Sequence, residues 1–251
     1  MFFINWEKLK TFLIVLFAVL NVFLIAFTLV QNSKYSVISD ETVSDTVKIL
    51  KSKNINISAD KIDRKQVGLN VISLKNAVVS HNFPSGFTRE DEKTFSAETS
   101  GSLNSEGDVK RVLSSVGING DTEIILNEKS AVVNLKVSGF PVFDVSLTLT
   151  EQNGKVKISG SWYSAESKPK KSSDKSDIVS LTGILIDFSN IAQFDGEISV
   201  DKIELGYYIS ESNRLLERLN VTAAPCWKIS SSDGKCYYFN ARNGEFLKQT
   251  N

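Results

Sequence analysis

The stretch that decides the architecture is Thr11–Val30, TFLIVLFAVLNVFLIAFTLV. These twenty residues contain no charged side chain, and their only polar members are Thr11, Asn21 and Thr28. At about 1.5 Å per residue, a helix of this length is roughly 30 Å long, which matches the hydrocarbon core of a bilayer. The stretch therefore predicts a single transmembrane helix over residues 11–30, with a folded region after it.

The flanks of this stretch indicate a retained anchor and its orientation. A cleaved signal peptide has a shorter apolar core and ends in small residues, and no A-x-A pattern follows Val30. Lysines favour the cytoplasmic side; the arm over residues 1–10 carries Lys8 and Lys10, and the other flank has only Lys34 nearby. We therefore expect a single-pass protein of the cell membrane, with a cytoplasmic N-terminus and an extracellular C-terminal region. A cleaved signal peptide is the alternative.

Small and polar residues of the predicted helix lie on one face, at positions Thr11, Ala18, Asn21 and Thr28. Such a stripe allows a second helix to approach closely and to form hydrogen bonds in lipid. A mid-membrane amide that faces lipid alone is costly. The stripe therefore predicts a partner-binding surface for another membrane helix. The alternative is that Asn21 is tolerated in a lone anchor, because its amide can bond to its own backbone.

Composition limits the class of partner. The chain has 251 residues, with 29 basic and 29 acidic side chains. The first thirty residues hold two lysines and one glutamate, so the remainder has a formal charge of −1. Balanced charge indicates no general attraction to nucleic acid. The roughly 220 residues after the apolar stretch are enough for a large core.

The pattern after the anchor predicts an α+β fold. Ser39 is a candidate N-cap for a helix that ends near Lys53, and a second helix is expected over residues 105–116. Four closely spaced strand candidates follow, at Glu123–Leu126, Ala131–Val137, Val142–Leu149 and Val156–Trp162. Their short connections favour antiparallel hairpins. A third helix, Ile178–Phe194 with Asp177 as its cap, precedes further strands.

A polar stretch predicts a division into two lobes. Residues 164–177 contain no large apolar side chain, which is typical of an exposed linker. The extracytoplasmic region would then consist of two α+β lobes with antiparallel sheets, over residues 31–163 and 178–251. Residues 81–103 are polar and predict an irregular loop.

Two cysteines, Cys226 and Cys236, raise the question of a disulfide. A two- or four-residue turn within Ser231–Gly234 would place the two thiols on opposite faces of a hairpin. Only an odd-length loop or a bulge would bring them to one face, and even then they need not lie directly opposite each other. We therefore expect no bridge between them.

Motifs for catalysis or metal binding are not found in the sequence. It contains no G-x-S-x-G, H-E-x-x-H or phosphate-loop pattern. His81 is the only histidine, and the acidic run Glu90–Glu92 lacks the spaced oxygen ligands of a calcium loop. The sequence therefore predicts no enzyme, no catalytic residue, no cofactor and no metal.

Several fragments are distinctive in their order along the chain: Ile4–Thr11 (INWEKLKT), Gly139–Asp144 (GFPVFD), Ile203–Tyr208 (IELGYY) and Ala224–Ile229 (APCWKI). A terminal hairpin follows, with Tyr237–Ala241 (YYFNA) and Asn243–Glu245 (NGE). Together these fragments resemble the YycI family of accessory membrane proteins, which has the YycH proteins as relatives.

The resemblance implies a non-enzymatic regulator of the Gram-positive two-component system YycFG, also called WalKR. Such a protein would bind the sensor histidine kinase, modulate its activity and thereby act on cell-wall homeostasis, with a YycH-like protein as a further partner. Its membrane helix would bind one kinase conformation better than the other. The alternative is an extracytoplasmic ligand- or peptide-binding or inhibitor module that is not coupled to a kinase.

Overall fold

The computed structural model describes residues 6–34, 37–65, 67–76, 86–165, 178–191, 196–215 and 218–250. Within them the chain forms four helices, α1 (Trp6–Lys34), α2 (Asp40–Ser52), α3 (Glu106–Ser115) and α4 (Leu181–Ile191). The same residues form thirteen strands, β1 (Ile55–Asn56), β2 (Ile72–Asn76), β3 (Phe87–Arg89), β4 (Phe95–Ser100), β5 (Asp121–Asn127), β6 (Ser130–Val137), β7 (Phe140–Gln152), β8 (Lys155–Gly160), β9 (Tyr163–Ala165), β10 (Ile198–Ile209), β11 (Asn220–Ser231), β12 (Cys236–Asn240) and β13 (Phe246–Thr250). The predicted α+β class is confirmed.

The strands form two largely antiparallel sheets that share one junction. The first sheet has the order β5-β6-β7-β8-β4-β3. The second has the order β13-β12-β11-β10, with the short strand β1 parallel to the start of β10. In the same sheet β2 pairs with the first part of β11, beside β12, and β9 pairs with the outer side of β2. Val142 of β7 pairs in parallel with Tyr207 of β10 and so joins the two sheets.

Alternating side chains explain the first sheet and its core. In β6, every second residue from Ala131 to Val137 is buried. This face packs with Leu147 of β7 and with Val109 and Leu113 of α3 in one hydrophobic cluster. Complete burial of each valine or leucine on this face contributes about 2 kcal/mol, which is why the period-two pattern fixes which face turns inward.

A separate cluster covers the second sheet. Leu50 of α2 and Phe188 of α4 lie in it with Ile229 and Phe239 of the sheet, and all four are fully buried. The Phe188 ring meets the Tyr237 ring edge-on, with centroids 4.9 Å apart, a favourable aromatic geometry. The two short helices are therefore fixed to the sheet by their apolar faces.

The helix starts were predicted with mixed success. Ser39 caps α2, because its Oγ accepts a hydrogen bond from the Thr42 N–H at 3.2 Å, as predicted. The predicted start of the third helix at residue 178 is wrong, since α4 begins at Leu181. There the Gly183 N–H donates to the Ser180 Oγ at 3.3 Å, so a serine satisfies the first turn. The predicted cap, Asp177, lies outside the described residues.

The predicted loop over residues 81–103 is wrong for two segments within it. β3 (Phe87–Arg89) and β4 (Phe95–Ser100) are strands, and Phe95 is completely buried in the first core. β4 was missed because its sequence after Phe95, SAETS, is small and polar. The strand is held by its full register against β8. Residues 81–85, and 166–177 of the predicted linker, lie outside the described part of the chain.

The cysteine hairpin has a register that differs from both predicted ones. Ser230 pairs with Cys236, so the connecting loop has an odd length and both thiols point to the same face. Cys226 lies opposite Asn240, well along the hairpin from Cys236, and the two cysteines are not bridged. Burial raises the pKa of the Cys226 thiol to about 12, which makes it a weak nucleophile.

Candidate functional site

Helix α1 extends over 29 residues and contains the whole predicted span. Its side chains from Thr11 to Ile25 are exposed at every position. Within the part of the chain that the structure describes, however, no helix is both long and apolar enough to cross a membrane. The transmembrane helix over residues 11–30 is therefore not confirmed and stays a prediction.

The predicted partner-binding stripe on α1 stays a prediction, and the structure describes the side chains of three of its four residues. Thr11, Ala18 and Asn21 are exposed, and the side chain of Thr28 lies outside the described set. The Thr11 hydroxyl donates to the Glu7 carbonyl at 3.0 Å, and the Asn21 amide donates to the Phe17 carbonyl at 2.9 Å. The latter bond is the one expected for a lone anchor. It uses one of two amide N–H groups, so Asn21 retains capacity to bond to a second helix.

Two of the fragments that carry the family resemblance meet at the sheet junction. Gly139–Asp144 enters β7, and Ile203–Tyr208 lies within β10 beside it. A Cβ on Gly206 would lie 2.8 Å from the Phe143 ring and would also collide with the Pro141 carbonyl oxygen. The lack of a side chain at residue 206 therefore allows the two strands to approach.

Asp144 is the centre of a charged cluster at this junction. Its carboxylate accepts hydrogen bonds from the Lys248 ammonium at 2.6 Å, the Tyr238 hydroxyl at 3.0 Å and the Arg214 guanidinium at 3.2 Å. Burial disfavours the charged carboxylate, and this is the largest single influence on the pKa of Asp144. The bond and charge of Lys248, the charge of Arg214 and the Tyr238 bond together outweigh it, so the pKa of Asp144 lies below its ordinary value of 3.8.

Arg214 and Lys248 both lie close to the aromatic ring of Tyr208, which thereby joins the cluster. The guanidinium carbon of Arg214 and the ammonium of Lys248 each lie 5.2 Å from the centre of the Tyr208 ring, within cation–π range. Arg214 is 8% exposed, and its Nε donates to the Ile209 carbonyl at 2.9 Å. Glu211 accepts from Lys248 at 3.3 Å. The junction cluster therefore consists of Asp144, Tyr208, Glu211, Arg214, Tyr238 and Lys248.

The junction cluster connects segments that are distant in sequence. Asp144 belongs to the first sheet, whereas Tyr208, Tyr238 and Lys248 belong to the second. Every charge in it faces an opposite charge, and burial raises the pKa of the Tyr238 hydroxyl, which stays protonated as a donor. These contacts therefore join the two sheets through their side chains.

A polar cleft of about 400 Å³ lies beside the cluster and is lined by residues of both sheets. The first sheet contributes Glu123, Asn134 and Ser146, and the second contributes Lys202, Glu204 and Lys228. Phe143 and Asp144 also line it. The Lys202 ammonium donates to Glu204 at 2.8 Å, and the Lys228 ammonium lies 5.7 Å from the centre of the Phe143 ring. The cleft therefore presents charges of both signs to solvent.

Metal binding finds no support in the described ranges, which contain no group of three or more potential ligands placed to hold an ion. His81 lies outside those ranges. The sequence did not single out Arg214, Glu211 or Lys248 as functional residues. In the sequence these residues are recognisable only as charged side chains next to apolar strands. Because this pattern is common at strand ends, it does not indicate a functional site.

Comparison with known families identifies the family of the chain. A family model described as YycI protein matches residues 33–242, which is most of the chain. The match places the chain among the accessory regulators of two-component systems. Within that class, the chain belongs to the YycI family. The matched region includes the motifs of the junction and begins after the predicted membrane span. No curated protein matches the chain.

Proposed function

We propose that the protein is a single-pass membrane regulator that binds a sensor histidine kinase through α1 and modulates its activity in cell-wall homeostasis. Membership of the YycI family is the observation that carries this proposal. A YycH-like protein is proposed as a further partner. The proposed topology has the N-terminus in the cytoplasm and the α+β region outside the cell.

The surface of α1 supports a membrane location. Phe12, Ile14 and Phe23 are each about two-thirds exposed, at 64%, 69% and 66%. Exposed apolar side chains in such density are unfavourable in water and favourable in hydrocarbon, by about 25 cal/mol for each Å² transferred. The lysines at positions 8 and 10 supply the positive flank of a cytoplasmic arm.

The connection between α1 and the folded region is short, which supports mechanical coupling. α1 ends at Lys34, and the Ile38 N–H already donates to the Arg64 carbonyl at 2.9 Å. The four residue steps from Lys34 to Ile38 reach at most about 14 Å when fully extended. A displacement of α1 larger than this must therefore also move the folded region. A kinase conformation that binds α1 more tightly would be favoured by the difference in binding free energy.

The stripe on α1 provides the test. Asn21→Leu removes the amide but keeps the apolar length, so recovery of the kinase with the full chain from detergent-solubilised membranes is expected to fall several-fold. Val19→Leu lies on the opposite face and is the matched control, with recovery unchanged. Equal recovery with both variants would contradict binding through this stripe.

The cleft beside the junction cluster favours a second candidate function, an extracytoplasmic ligand- or peptide-binding module that acts without the kinase. Clefts with a few converging polar groups are common binding sites. Replacing residues 11–30 with an unrelated apolar helix separates the two functions. A regulator that acts through α1 would lose its effect on the phosphorylated fraction of the response regulator, whereas a binding module would keep its activity.

A further inference from the structure

Strand β5 forms an edge of the first sheet, and its only protective feature is the pair of acidic side chains Asp121 and Glu123. Among the described residues it pairs only with β6, in a continuous register from Asp121 opposite Lys136 to Asn127 opposite Ser130. It contains no proline, lysine or bulge. Natural sheets shield long edges with such features, because an open edge can add a strand from another chain.

The other edges of the sheets differ from β5. β3 and β9 have three residues each, too few for a stable added strand. β13 has a register shift where it passes Phe239, and Lys248 lies at its centre. β5 has seven residues and is the long, regular edge within the described part of the chain.

The hairpin register shows which backbone groups of β5 face outward. Asn127 and Ser130 flank a two-residue loop and are Cα partners, so this pair exchanges both of its hydrogen bonds across the hairpin. Bonding alternates along the strand, so Glu123 and Ile125 also bond to β6. The N–H and C=O groups of Thr122, Ile124 and Leu126 therefore point away from the sheet.

The side chains of β5 specify what would cover this edge. Ile125 is 51% exposed, and Leu126, on the opposite face, is 36% exposed. The side chain of Glu123 remains 48% exposed although Lys136 lies 3.5 Å away. Apolar residues opposite Ile125 and Leu126, and a cation opposite Glu123, would complement these groups.

A second copy of this chain could pair its Ile125 with the Ile125 of the first, but β5 contains no basic residue. Strand β5 of a second copy would therefore offer Glu123 no cation. A different chain can place lysine or arginine there. Charge therefore favours a partner strand that is basic and apolar.

We propose that the outer edge of β5 is a docking site for an extended, basic and apolar segment of a partner protein, which adds to the first sheet as a further strand. The backbone groups of Thr122, Ile124 and Leu126 hold it, and Glu123 and Ile125 select its side chains. This mode of binding does not depend on α1 or on the kinase.

The test uses the purified full chain in detergent and a fluorescent eight-residue peptide of alternating lysine and valine as the probe. Saturable binding to the wild type is expected. Thr122→Pro removes one outward N–H and leaves the bonds to β6, so binding should weaken at least tenfold. Thr122→Val keeps the N–H and is the matched control, with affinity unchanged. Ile125→Lys, at an exposed site, should weaken binding to a similar extent.

Hydrogen exchange gives an independent signature of strand addition. On binding of the peptide, the amides of Thr122, Ile124 and Leu126 should gain protection, while those of Glu123 and Ile125 should not change. No saturable binding, or equal affinity for the wild type and Ile125→Lys, would overturn the proposal even if Thr122→Pro failed to fold. So would self-association that Ile125→Lys abolishes, because the edge would then pair with a second copy.

Discussion

Asp144 has a left-handed backbone conformation in the middle of a strand, with φ at +58°. Few residues other than glycine tolerate this region, and Asp and Asn are among them. The conformation turns the carboxylate toward Lys248, Arg214 and Tyr238, which come from the second half of the chain. The backbone conformation of β7 at Asp144 therefore determines where the carboxylate lies in the charged cluster of the sheet junction.

Asp144→Asn tests this connection, because asparagine tolerates the same backbone conformation but carries no charge. Arg214 and Lys248 would then lose their common anion, and we expect the free energy of unfolding at pH 7 to fall by about 2 kcal/mol, reduced from the value for a fully buried pair by partial exposure. The matched control is Asp45→Asn in the exposed pair with Lys48, with a change below about 0.5 kcal/mol.

The pH dependence of this difference has a definite sign. The pKa of Asp144 is depressed in the folded state, so its contribution is complete above the unfolded-state value near 3.8 and is lost as the pH falls through the lower folded value. Urea unfolding of the wild type and Asp144→Asn should therefore differ by a constant amount above pH 5 and converge below pH 4. A difference that persists undiminished at pH 3 would contradict the role of the carboxylate.

At the scale of elements, β7 and β10 determine how the two sheets meet. Gly206 allows their contact, because any side chain there would collide with Phe143 and Pro141. Gly206→Ala should lower the free energy of unfolding by about 2 kcal/mol, since the strands must separate to accommodate the methyl group. Gly107→Ala, in α3, has its nearest neighbour at 3.6 Å and is the control, with stability unchanged or slightly raised. A neutral Gly206→Ala would show that the junction is loosely packed.

Elements formed by interactions between residues close in sequence could be predicted, whereas those formed by interactions between distant segments could not. The strands over residues 121–160 were predicted because alternating apolar residues and short turns are local signals. β4 has no such pattern after Phe95, and its partner β8 supplies the pairing. The junction cluster could not be predicted, because the Lys248–Asp144 bond joins residues 104 positions apart.

The whole molecule combines an exposed helix with a folded region that the family match covers almost entirely. That match begins at residue 33, so it supports the regulatory role and leaves the function of α1 to experiment. Three parts of the molecule are assigned separate roles. The α1 stripe is proposed to bind the kinase, the junction cluster joins the two sheets, and the edge of β5 is proposed to bind a partner strand.

Photocrosslinking along α1 tests the central proposal most directly. A photoreactive amino acid at Ala18, on the stripe, is compared with the same amino acid at Leu16 and Phe23, on the opposite face, in cells that contain the kinase. The account predicts a crosslink to the sensor histidine kinase from position 18 and little or none from 16 and 23. Equal crosslinking from all three positions, or none from position 18 while other membrane pairs are trapped, would contradict it.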